Sequence, residues 1–263
     1  MVMRRLIPVI LVEHHVMNGR AFPVVVTTRG FRDVTRVGDP ASTARVLASQ
    51  LADELFVIRR GGEHTIPFPD FVTLLERIAT ETSMPISVGG GIREVEEAHS
   101  LLRSGADKIV IGPSALRGTT LVEEVAERFG RQCVVAAVDL RETSEGPIAV
   151  DGEGRITTLA PLLPWVSELD KRGVGEILLT DVGRDGSGEG LNVDAAAMVR
   201  ANVDVPLILA GGCGRAAHML EAFQQADVDA VAAGTYFASR DQNQFQARAL
   251  IANAGVAVRT SLV

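Results

Sequence analysis

The sequence predicts an α/β fold, a single (βα)8 TIM barrel spanning residues 1–263 and built from two similar halves. Three observations predict it. Eight short apolar, β-branched runs alternate with amphipathic stretches; the runs are continuously apolar, as strands buried on both faces require; and the two halves of the chain repeat one another. The length suits one barrel domain.

The first run covers residues 5–12, Arg5-Leu-Ile-Pro-Val-Ile-Leu-Val12. With Met1-Val-Met-Arg-Arg before it, it mimics a signal peptide, but it is short and Glu13-His14-His15 follows at once, so it reads as a buried strand. The other runs are 54–59, 85–88, 107–112, 133–139, 176–182, 205–210 and 229–234. Between them, stretches such as Ala41–Leu51 and Leu74–Thr82 have the periodicity of crossover helices. Gly146–Arg155 reads as a polar turn or hairpin after the fifth strand.

The repeat is the strongest internal signal. Glu54-Leu-Phe-Val-Ile and Glu176-Ile-Leu-Leu-Thr stand one interval apart, and Asp107–Gly112 and Asp229–Gly234 stand the same interval apart. Pro85-Ile-Ser-Val-Gly-Gly-Gly and Pro206-Leu-Ile-Leu-Ala-Gly-Gly differ by one residue less. Matched pairs in the same order imply two four-stranded halves, which close into an eight-stranded barrel.

A formal net charge of −7 argues against nucleic acid as a partner, since backbone binding needs a basic face. Cys133 and Cys213 are far apart and form no metal-spaced cluster, so neither a disulfide framework nor structural zinc is expected, and a reducing cytoplasm fits. No cofactor, metal or membrane association is expected from the chain.

Glycines follow the third and seventh strands (Gly89, Gly90, Gly91; Gly211, Gly212, Gly214) and the fourth and eighth (Gly112, Gly234), at the end where a barrel has its active face. Lacking Cβ, they let backbone N–H groups approach a phosphate at a helix N-terminus. Any one of them can equally be a tight turn. Their recurrence in both halves points to two phosphate sites facing each other across the mouth, and so to a bis-phosphate ligand.

Several stretches in order carry a resemblance: Arg5-Leu-Ile-Pro, Phe31-Arg-Asp-Val-Thr-Arg-Val-Gly-Asp-Pro40, Val88-Gly-Gly-Gly-Ile92, Gly105-Ala-Asp-Lys108, Gly175-Glu-Ile-Leu-Leu-Thr180, Arg184-Asp-Gly-Ser187 and His218-Met-Leu-Glu-Ala-Phe223. The sequence resembles the cyclase subunit of imidazole glycerol phosphate synthase, HisF, from the first strand to Gly255-Val-Ala-Val-Arg259. The Gly-Gly-Gly-Ile motif is shared with the sister isomerase of histidine biosynthesis. The resemblance implies a (βα)8 barrel lyase that combines ammonia from a HisH-like glutaminase with a bis-phosphorylated ribulosyl substrate. Substrate or phosphate contacts are then implied at Gly90, Gly91, Gly112 and Ser114 in one half. In the other they fall at Asp185, Gly186, Ser187, Gly211, Gly212, Ala233 and Gly234.

The family's acid–base pair is two aspartates at the ends of strands 1 and 5. Asp139 matches the strand 5 carboxylate, whereas the strand 1 position is Leu11, which cannot transfer a proton. Arg59 replaces a family aspartate on strand 2, Thr27 a phosphate-binding lysine in the first loop, and Gly112-Pro113 an Asn-Thr pair after strand 4. The segment between Val12 and Thr27 is also longer. Paralogues that lack the first aspartate resemble ammonia suppliers for sugar amidination in surface-polysaccharide clusters. Glu13, on the strand face of Leu11, or His14 and His15, can restore an acid or base, or simply solvate a loop.

At the opposite end, strands 1, 2, 4 and 6 begin with Arg5, Glu54, Lys108 and Glu176, which match the family's gate to an ammonia channel. Scattered surface charge is the bland alternative. Asp107 matches a family contact to the glutaminase. Two other readings stand beside an ammonia-dependent cyclase or amidotransferase. One is a sugar-phosphate isomerase using Asp181; the other is a catalytically silent scaffold that docks a glutaminase.

Overall fold

A computed structural model of the chain describes residues 3–112, 120–151, 160–238 and 243–259. Strand β1 (Arg5–Met17) leads into β2 (Arg20–Arg29) and β3 (Asp33–Gly38), then α1 (Pro40–Ser49) and β4 (Leu55–Arg59). Next come α2 (Phe68–Glu81), β5 (Ile86–Gly89), α3 (Val95–Arg103), β6 (Lys108–Ile111), α4 (Leu121–Phe129) and β7 (Val134–Thr143). The hairpin strand β8 (Gly146–Val150) and short β9 (Ala160–Pro161) precede α5 (Leu162–Lys171), β10 (Glu176–Asp181), α6 (Val193–Arg200) and β11 (Leu207–Ala210). Helix α7 (Ala216–Gln225), β12 (Ala230–Ala233), α8 (Thr235–Ala238) and α9 (Gln244–Asn253) follow.

Eight strands pair in parallel in the order β1-β4-β5-β6-β7-β10-β11-β12, and β12 pairs back to β1, so the barrel is closed. Closure explains the continuous apolar runs, because each strand has a side toward the barrel axis and a side toward the helices. Ile7, Phe56, Val110, Val135, Leu178, Ile208, Ala230 and Ala232 fill the interior. Alternate residues such as Leu6, Val57, Ile109, Val134 and Ile177 join the larger layer under the helices.

Helix α1 starts where Asp39 accepts a hydrogen bond from the Ser42 N–H at 2.9 Å and Pro40 occupies the first turn. Helix α2 begins at Phe68, ahead of the expected Leu74, because prolines at 67 and 69 are compatible with a first helical turn. Two strands outrun their expected ends. β1 continues to Met17 and pairs antiparallel with β2, and β7 continues to Thr143 and pairs with β8. The long first loop is therefore a three-stranded antiparallel extension, closed by Asn18 and Gly19, both with positive φ. Residues 152–155 of the expected turn lie outside the described residues.

The half-barrel repeat is visible in hydrogen bonds that hold the strand starts. Asp107 accepts from the Ile86 N–H at 2.8 Å, and its counterpart Asp229 accepts from the Leu207 N–H at 2.9 Å. Each aspartate ties its strand to the one before it in the barrel.

Candidate functional site

The two ends of the barrel carry different chemistry. At the strand starts, Arg5 lies 2.8 Å from Glu54 and 3.1 Å from Glu176, while Lys108 lies 3.1 Å from each of the same two carboxylates. The four groups form a closed ring of alternating sign across the barrel floor. Glu54 is almost fully buried and also accepts a hydrogen bond from Ser87, inside the barrel, at 2.5 Å. Burial of these charges is tolerated because each has two opposite partners. Desolvation alone would lower the Arg5 pKa, but Glu176 and Glu54 outweigh it and hold the guanidinium above its ordinary value. Asp107 stands beside the ring, exposed, with its carboxylate on the Ile86 amide.

At the strand ends, Asp139 faces the mouth beside Thr180 of β10. It keeps some solvent contact, yet protein surrounds it densely. That desolvation, with the negative charges of Asp185 and Asp151 adding to it, pushes its pKa up to about 7. A carboxyl near neutrality can both take and give a proton. Leu11 lies opposite, with Ile58 and Val26 as its register partners, so the strand 1 side of the mouth is apolar.

The two other expected carboxylates are engaged elsewhere. Glu13, buried on the same strand face as Leu11, is ion-paired to Arg60 at 3.0 Å. Asp181 alternates with the interior residues Leu178 and Thr180 and so turns toward the helices. There it accepts from Asn192 at 2.7 Å and from the Gly183 N–H at 2.8 Å, with Arg184 at 3.6 Å. Asn192 also caps α6 by accepting from the Ala195 N–H. Asp181 is thus part of a loop-to-helix brace rather than a neighbour of Asp139. Residues 14 and 15 lie on the outward β1–β2 extension, where His15 packs edge-on against Phe22.

Among the expected phosphate contacts, the glycines fall into two kinds. Gly90 and Gly211 both have positive φ, and a Cβ on them would stand 2.0 Å from the Arg59 carbonyl oxygen and 2.5 Å from that of Asp181. These are matching close approaches in the two halves. Gly91 and Gly212 also have positive φ, and Gly212 abuts the Gly190 carbonyl. By contrast, Gly112 and Gly234 have ordinary φ, with nearest neighbours among the described residues at 3.8 and 3.5 Å. Ala233 belongs to the layer under the helices and offers only its backbone to the mouth. Ser187 accepts from the Glu189 N–H, and Ser114 lies outside the described residues.

Arg59 shows a role that the sequence did not reveal. Its guanidinium donates to the carbonyls of Gly90 at 2.9 Å and Gly91 at 3.3 Å, over the rings of Phe68 and Phe71. Because a trans peptide points C=O and N–H in opposite directions, holding the Gly90 carbonyl on the arginine side turns the Gly91 N–H the other way. Desolvation lowers the Arg59 pKa. Only the turn-forming glycines behind it hinted at this contact.

Residues 5–243 match the protein family described as histidine biosynthesis protein. A Prochlorococcus marinus (strain MIT 9313) protein provisionally named imidazole glycerol phosphate synthase subunit hisF2 is 39% identical over 239 residues, covering 90% of each chain. Imidazole glycerol phosphate synthase subunits HisF of Bacillus cereus strains Q1 and AH187 are each 35% identical over 265 residues, covering 98% of this chain and 100% of theirs. The barrel, its repeated halves and these matches agree: the chain belongs to the histidine biosynthesis protein family and is HisF-like within it.

Proposed function

We propose that the protein is the ammonia-using subunit of a glutamine amidotransferase complex, a cyclase-type lyase acting on a phosphorylated sugar-type substrate. The closed ring of Arg5, Glu54, Lys108 and Glu176 carries this reading. Packing alone does not call for four charges at the floor of an apolar barrel, since hydrophobic replacement of buried ion pairs is often neutral or stabilising. A ring with two cations and two anions, below an apolar interior, suits passage of neutral ammonia from a docked glutaminase, with Asp107 on the docking face.

At the other end, the substrate would lie between the Gly90–Gly91 and Gly211–Gly212 turns, with its anionic groups on their amides. Asp139 is the proton-transfer group. Leu11 removes the second carboxylate, so the reaction need not be the one named for the HisF relatives; amidination of a sugar is the nearest variant. The net charge of −7 supports a small anionic metabolite held by local dipoles rather than a nucleic acid, and a cytoplasmic setting fits two unpaired cysteines. Among the described residues, no helix is long and apolar enough to cross a membrane.

The test is to incubate the protein with ammonium salt and the bis-phosphorylated ribulosyl substrate, and to follow imidazole glycerol phosphate by mass spectrometry. Formation of that product supports the unmodified family reaction. Ammonia incorporation only with another sugar phosphate supports amidination. No ammonia-dependent product with either, from protein that still binds a glutaminase, would leave the docking scaffold.

A further inference from the structure

We propose that Asp185 is a positioning residue that latches the β2–β3 hairpin to the loop after β10, as a strap at the mouth end of the barrel, the end that carries Asp139. The hairpin continues from β1, touches α8, and meets the loop after β10. There three hydrogen bonds converge on one residue. The Thr28 hydroxyl donates to Oδ2 of Asp185 at 2.7 Å, the Phe31 N–H donates to the same oxygen at 3.0 Å, and the Gly30 N–H donates to the Asp185 carbonyl at 3.0 Å.

The backbone on both sides is shaped for this contact. Gly30 and Phe31 take consecutive positive φ values of 60° and 62°, which is unusual for a phenylalanine. That conformation presents both N–H groups to Asp185, while the Phe31 carbonyl accepts from Arg60 at 3.2 Å. On the facing loop, Gly186 has φ +66°, and a Cβ there would stand 2.1 Å from the Thr28 carbonyl oxygen. Only glycine lets the two segments meet.

A carboxylate is a poor ligand for a phosphate, because like charges repel. It is a good acceptor for an otherwise unpaired turn. This reassigns Asp185 and Gly186 from phosphate contacts to the strap's anchor. Asp185 adds negative charge at Asp139, so we expect strap position and the protonation of Asp139 to be linked. The strap bears on chemistry only if the mouth is the reaction site proposed above. Its test needs no substrate, so either proposal can fail alone.

Two variants separate the contributions: Asp185→Ala removes the anchor, and Thr28→Val removes one donor while leaving the Asp185 charge in place. Hydrogen exchange at the Gly30 and Phe31 amides should quicken about tenfold in Asp185→Ala and less in Thr28→Val. Carboxyl carbon NMR should show the Asp139 midpoint falling toward the ordinary carboxylate range in both. A fall in Thr28→Val reports re-solvation, because no charge has been removed. Unchanged exchange in both variants, or faster exchange with an unmoved Asp139 midpoint in Thr28→Val, would overturn the latch.

Discussion

Lys108, which starts β6, and Glu54, which directly precedes β4, meet at 3.1 Å although β5 separates the two strands. The contact exists because the barrel closes: both side chains point to the axis at the same level, and Arg5 from β1, next to β4, and Glu176 from β10 complete the circle.

Lys108→Ala leaves the almost fully buried Glu54 with Arg5 as its remaining ion-pair partner. We expect a loss of about 3 kcal/mol in stability by denaturant unfolding. Glutamine-dependent turnover with a docked glutaminase should change more than turnover with free ammonia. Equal effects on the two activities would make the ring a structural brace.

Asp139→Asn preserves shape and removes basicity, so ammonia-dependent turnover should fall ~10²–10⁴-fold. The pH dependence of stability gives an independent readout. The folded-state pKa of Asp139, about 7, lies above its unfolded value, so the unfolded chain releases the proton first. Its contribution is fully present below about pH 4 and is lost as pH rises to 7. Asp139→Asn should therefore gain melting temperature relative to the parent at pH 8 but not at pH 4; a constant difference would show an ordinary carboxylate.

Arg59→Met keeps an apolar stem over Phe68 and Phe71 but removes the donors to Gly90 and Gly91. We expect a cost of about 2 kcal/mol and weaker binding of inorganic phosphate in thermal-shift titrations. A soaked crystal should show anions at the Gly89–Gly91 and Gly211–Gly214 turns; density at neither would mark them as structural turns only.

Gly90→Ala should cost about 3 kcal/mol or more, since the new Cβ meets the Arg59 carbonyl at a positive φ. Gly112→Ala has room among the described residues and ordinary φ, so its effect on stability should stay within ~0.5 kcal/mol. Comparable losses at both positions would show that backbone crowding is not what selects glycine.

The sequence by itself determined the barrel, its two halves and the level of the charged ring, because these follow from strand periodicity. Continuous apolar runs require strands buried on both sides, and residues that start equivalent strands must share one end of a closed barrel. The position of Asp139 at the mouth was legible for the same reason. Tertiary structure alone decided which neighbouring groups are already engaged. Glu13 and Asp181 have suitable chemistry, but Arg60 neutralises one, and strand alternation turns the other toward Asn192. Arg59 reads as a lost aspartate and is in space the support of a glycine turn. The long first loop reads as an insertion, and only contacts between residues far apart in the chain show it to be an antiparallel extension hydrogen-bonded to Asp185. Local patterns fix which face of an element a residue occupies; partners across the mouth depend on closure, which no short stretch of sequence encodes.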